Sequence, residues 1–94
     1  MKKVAFDIDG CICDIYGRTN ENIVALVKFF HGLGCTVYVW TGGGIDRAER
    51  VVNNLGLSDI ATPAVKGTVE VDVAFDDMKV KLADINIQVC DREI

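Results

Sequence analysis

Residues 35–40, Cys-Thr-Val-Tyr-Val-Trp, form an almost unbroken run of apolar and β-branched side chains between Gly34 and Thr41. A run of that kind is a strand buried on both faces, because it lacks the alternation of a half-solvated one. Such a strand needs cover above and below, so it belongs inside a layered structure. The chain supplies helical cover on either side of it. Upstream, Ile23, Leu26, Val27 and Phe30 recur at i, i+3, i+4 and i+7, one face of a helix. Thr19 or Asn20 can cap its start, since their side-chain oxygens accept from free backbone N–H groups. Gly32 and Gly34 can end it in left-handed geometry. Downstream, Ile45, Ala48, Val52 and Leu55 share a face, Asp46 suits the first turn, and Gly56 suits the stop.

The remaining segments extend the alternation. Lys3–Ile8 reads as a strand, 10–18 as a loop, and Ile60–Val65 as a short extended piece interrupted by Pro63. Val69–Phe75 reads as a further strand, Val80–Ala83 as a helical turn, and Ile85–Cys90 as a last strand. The order β-α-β-α-β-β-β predicts one compact Rossmann-like α/β domain over residues 1–94, a mostly parallel sheet with helices packed on it. Trp40 is expected beneath those helices. Right-handed crossovers align the C-terminal ends of the strands along one edge, where ligands bind in such folds.

Composition excludes several function classes. The formal net charge of −4 argues against a generic binder of nucleic-acid backbones, which needs a basic patch. No apolar run approaches the ~20 residues of a bilayer span. The apolar stretch after Met1-Lys2-Lys3 meets Asp7 and Asp9 too soon to be a signal sequence, so a cytoplasmic protein is expected. The four cysteines then read as reduced thiols, Cys35 and Cys90 in the core and Cys11 and Cys13 in a loop. Their spacing is a poor match to a zinc site.

The reactive side chains fall at strand ends. Asp7 and Asp9 close the first strand and Thr41 the second, Lys66 follows the third extended piece, and Asp76 and Asp77 close the fourth. Carboxylates crowded at one sheet edge repel unless a cation neutralises them, and oxygen-only ligands suit Mg²⁺. A carboxylate can attack phosphorus, a second can handle the leaving-group proton, and a hydroxyl and an ammonium can hold a phosphoryl group. Gly42–Gly44 can let backbone N–H groups approach a phosphate at the next helix. Arg47 and Arg50 read as solvated surface, with Arg47 the one near enough to Gly44 to touch a substrate. His31 reads as a surface or C-terminal capping residue.

Phe6-Asp7-Ile8-Asp9-Gly10 resembles the first motif of the haloacid-dehalogenase superfamily, a strand ending D-x-D-G-T/V. Val37–Gly42 resembles the second, a strand ending in Thr or Ser; Lys66 resembles the third, and Val73–Asp77 the fourth. The motifs stand in the family's order across residues 4–77. The resemblance implies an Mg²⁺-dependent phosphatase. Asp7 would be nucleophile and metal ligand, and Asp9 general acid/base and metal ligand through its carbonyl. Thr41, Gly42 and Lys66 would hold the phosphoryl group, and Asp76 and Asp77 the metal.

Two departures carry consequences. Cys11 stands where the family has Thr or Val, and the chain is too short to hold a cap domain. A capless, open site is therefore expected. It would admit a large phosphorylated substrate, such as a nucleic-acid end, a phosphoprotein or a glycan, or be closed by a second copy of the chain; the partner expected is a phosphorylated small molecule or macromolecular end. A phosphate- or metal-binding module without turnover is the competing reading. A phospho-acceptor receiver domain ranks far behind, because its acidic pair would come at the first strand.

Overall fold

The computed structural model describes residues 2–14 and 16–90. Their element order is β1 (Lys3–Asp7), α1 (Glu21–Gly32), β2 (Thr36–Thr41), α2 (Ile45–Asn54), β3 (Thr62–Val65), β4 (Val71–Asp76) and β5 (Ala83–Gln88). The strands make one sheet in the order β3-β2-β1-β4-β5, every pairing parallel. This is the expected Rossmann-like α/β architecture without a cap. No helix among the described residues is long and apolar enough to cross a membrane.

The local signals act much as their chemistry requires. Asn20, not Thr19, caps α1, its side-chain oxygen accepting from the N–H groups of Asn22 and Ile23. Gly34 follows the helix at φ +89°, a conformation that only glycine adopts without strain. Pro63 lies within β3, which tolerates a missing N–H because it is an edge strand.

Both helices cover the same face of the sheet. Ile23, Val24 and Val27 of α1 and Ala48 and Val52 of α2 pack with Val4, Phe6, Val37, Val39 and Phe75. The crossovers explain this: β1, β2 and β3 step outward in one direction, so right-handed connections place both helices on one side. The later connections step the other way and must cross the opposite face. They do so without helices. Val69 and Leu82, from the two connecting segments, pack over Ala5, Trp40, Ala64 and Ala74. Trp40 is therefore fully buried on the helix-free face, not under the helices as expected from its sequence.

No helical turn forms over Val80–Ala83, and Ala83 already begins β5. The reason is reach. Residues 77–82 must carry the chain back along β4, a strand about 17 Å long at ~3.3 Å per residue. Helical residues advance only ~1.5 Å each, so the connection has to stay extended. Two further expectations shift at the periphery. Cys90 is exposed and not in the core, because it lies past the end of β5, while Cys35 is half-buried. Ile85 and Ile87 of β5 extend the helix-side surface beyond α1 and are left exposed.

Candidate active site

The site begins with a repeated local pattern. Ala5-x-Asp7, Ala64-x-Lys66 and Ala74-x-Asp76 each put a charged residue two positions after an alanine. Side chains alternate along a strand, so each charge continues the row of its alanine. The alanines lie in the helix-free layer, which their small side chains keep thin. Asp7, Lys66 and Asp76 thus emerge on one side of the sheet at its C-terminal edge.

There they meet. The Lys66 ammonium lies 2.9 Å from Asp7 Oδ1 and 2.7 Å from Asp76 Oδ2. The second Asp76 oxygen accepts from the Met78 N–H at 2.9 Å. Oxygens of Asp7, Asp76 and Asp77 all fall within 4.8 Å of one another. Among the described residues the buried polar or charged side chains are Asp7, Thr41 and Asp76. Burying such groups is costly unless they are paired, and a core this small spends that cost in one place.

The electrostatics follow from crowding. Burial, reinforced by the Asp76 charge, pushes the Asp7 carboxyl up to about 6 despite the opposing Lys66 ammonium. Burial and the neighbouring Asp76 also hold Asp77 above the ordinary range. For Lys66, burial opposes the charge, but hydrogen bonds to Asp76 and Asp7 outweigh it and hold the ammonium above its usual value. One ammonium against three carboxylates leaves a deficit of positive charge. The donor set, oxygen only and partly buried, fits a hard divalent cation such as Mg²⁺.

Thr41 is buried at the C-terminal end of β2, the strand next to β1, its Oγ1 accepting from the Gly43 N–H at 3.2 Å. Among the described residues its own O–H has no acceptor and can donate. Gly43 is thus the glycine that orients the hydroxyl; Gly42 is exposed and has open space around it. The Lys66 N–H donates to the Thr41 carbonyl at 2.8 Å, joining these two residues through the backbone.

Cys11 is buried, and its thiol lies 3.9 Å from the Phe75 carbonyl oxygen. Burial, then the charges of Asp7, Asp76 and Asp77, pushes that thiol up to about 12. It stays neutral and acts as a small packed group tying the turn after β1 to β4. None of the cysteines joins the cluster of potential metal ligands among the described residues.

Asp9 stands apart. Its side chain is 72% exposed and its Oδ1 is bound by Arg47 Nη2 at 2.5 Å. Arg47 is therefore not plain solvated surface. Its place in the first turn of α2, just past the glycines after Thr41, puts it at the same sheet edge, and that position was the available sequence signal.

Comparison of the chain with protein-family models, with curated proteins and with solved structures finds no match. What the fold and the site define is an α/β protein with a buried acidic cluster and a bridging lysine at the ends of parallel strands.

Proposed function

We propose that this protein is an Mg²⁺-dependent phosphomonoester hydrolase working through a phosphorylated Asp7. The observation that carries the reading is the Lys66 ammonium held between buried Asp7 and Asp76, with Asp77 within ligand distance and Thr41 buried at the end of the next strand. The motif resemblance across residues 4–77 supports the same reading.

In this scheme an Asp7 oxygen attacks phosphorus as the ester P–O bond breaks, and the leaving oxygen takes a proton from Asp9. Asp9 then accepts a proton from the water that attacks the phosphoryl group, which restores Asp7. Lys66 balances negative charge on Asp7 and on the phosphoryl oxygens. The free Thr41 O–H donates to one of those oxygens. Asp7, Asp76 and Asp77, with the Asp9 carbonyl, would hold Mg²⁺, which when bound neutralises the carboxylates and the phosphoryl group. Asp9 must turn from Arg47 toward the leaving group for the proton step.

The pairing of Asp9 with Arg47 favours a second reading, a phosphate- or metal-binding module without turnover. One experiment separates the two: hydrolysis of p-nitrophenyl phosphate with Mg²⁺, with chelator, and by Asp7→Asn. Mg²⁺-dependent turnover abolished in Asp7→Asn establishes the hydrolase. Mg²⁺ binding by calorimetry with no turnover of any phosphomonoester leaves the module.

A further inference from the structure

We infer that Arg47 is a specificity residue, and that the substrate is a small phosphomonoester whose leaving group carries a second anionic group. This rests on the hydrolase reading above and deepens it.

A cavity of about 540 Å³ lies between the 10–18 loop and α2, lined in part by Asp9, Gly10, Cys13, Gly17, Arg47 and Asp77. That size suits a small ligand. Asp77 belongs to both the cavity and the acidic cluster, so the cavity borders the cluster that contains Asp7, on the side where a leaving group would lie in this scheme. Asp14, also on its wall, is already bound by the Arg18 side chain and by the Tyr16 and Arg18 N–H groups.

Arg47 is the cationic residue of that wall. Its side chain is 41% exposed, yet its Nε is buried and has no hydrogen-bond partner among the described residues. A buried donor without an acceptor is costly and signals a missing partner. Among the described residues, the hydrogen-bond partner of the rest of the guanidinium is Asp9. Reaching the leaving oxygen takes Asp9 away from Arg47. The guanidinium would then stand over the cavity with both Nε and Nη2 unpaired. An anionic substituent on the leaving group replaces Asp9 there and meets the fork of donors that carboxylates and phosphates fit. Exchange of one anion for another keeps the guanidinium paired throughout; a neutral leaving group leaves it bare.

The test uses three matched probes with Mg²⁺: 2-hydroxyethyl phosphate, phosphoglycolate, and ethylene glycol bisphosphate. The expected result is a kcat/KM at least tenfold higher for one or both anionic probes than for the neutral one, expressed in KM. The two anionic arms tell a carboxylate from a second phosphate. In Arg47→Gln that ratio collapses toward one, while Arg47→Lys, which keeps the charge, retains part of it. Equal use of all three probes by the wild-type protein overturns the inference. So does an unchanged ratio in Arg47→Gln, or turnover confined to a phosphorylated oligonucleotide. If no probe is hydrolysed, the hydrolase reading fails separately. Calorimetric binding of the same probes then decides the inference: tighter anionic binding lost in Arg47→Gln supports it, and equal affinities overturn it.

Discussion

The carboxylate of Asp77 occupies the space that a side chain at Gly10 would need. A Cβ on residue 10 would lie 2.3 Å from Asp77 Oδ2 and 2.4 Å from its Cγ, and Gly10 also has φ +79°. The glycine after the D-x-D pair thus serves two ends, the turn that aims Asp9 and the close approach of a carboxylate of the acidic cluster. Gly10→Ala is expected to cost about 1–2 kcal/mol from backbone strain alone and more from displacing Asp77. Denaturant unfolding of Gly10→Ala, Asp77→Ala and the double variant checks it. A double variant less destabilised than the sum of the two singles shows the clash; simple additivity denies it.

Lys66 acts as the internal counter-ion of Asp7 and Asp76, at 2.9 and 2.7 Å. Removing one partner of a buried ion pair leaves charge uncompensated, which costs about 3–5 kcal/mol. Lys66→Gln should lose stability on that scale without metal. It should then recover more on adding Mg²⁺ than the wild type gains, because the cation replaces the missing positive charge. Thermal melts with and without Mg²⁺ show this; an equal Mg²⁺ response in both proteins rejects it.

The part of the stability without metal that depends on Asp7 should fall as pH rises. The folded protein holds the Asp7 proton up to about 6, above the ordinary 3.8, so it binds that proton more tightly than the unfolded chain does. The sign follows: the stability that Asp7 contributes is greatest below about 4, declines through the window from 4 to 6, and stays lower above it. The Asp7 contribution is about 3 kcal/mol. Asp77, held up in the same direction, adds to the trend. Asp7→Asn should flatten the profile and raise the melting temperature more at pH 7 than at pH 4. A wild-type profile with the same slope as Asp7→Asn would contradict the assignment.

Mg²⁺ in hundredfold excess over its Kd should stabilise the folded chain by about 2.7 kcal/mol, which is roughly 10–20 °C in a domain of this size. Chelator should reverse the shift and Asp76→Asn remove most of it. Trp40 is the only tryptophan of the chain and pairs in register with Asp7, so its fluorescence offers a second readout. An unmoved melting temperature at millimolar Mg²⁺ counts against the metal site.

Away from the site, Asn20→Ala should cost about 1 kcal/mol by leaving the N–H groups of Asn22 and Ile23 without their side-chain acceptor. Urea unfolding reads the loss, and Asn20→Asp should restore most of it.

The sequence by itself determined the layered α/β plan and the strand-end positions of Asp7, Thr41, Lys66, Asp76 and Asp77. Those features are written in short-range patterns: the apolar run at 35–40, the helical spacing from Ile23 and from Ile45, and the charges that interrupt each strand. Neighbouring residues carry that information, because strand and helix periods and end caps are local properties of the backbone. Tertiary structure decided the rest. Trp40 lies on the helix-free face because the direction of the crossovers sets which side the helices take. Residues 80–83 stay extended because the distance back along β4 overrides local helix preference. Asp9 turns to Arg47, and Gly10 yields its space to Asp77, through contacts between residues 38 and 67 positions apart in the chain. No local pattern encodes such a pairing; it exists only once parallel strands bring their C-terminal ends to one edge.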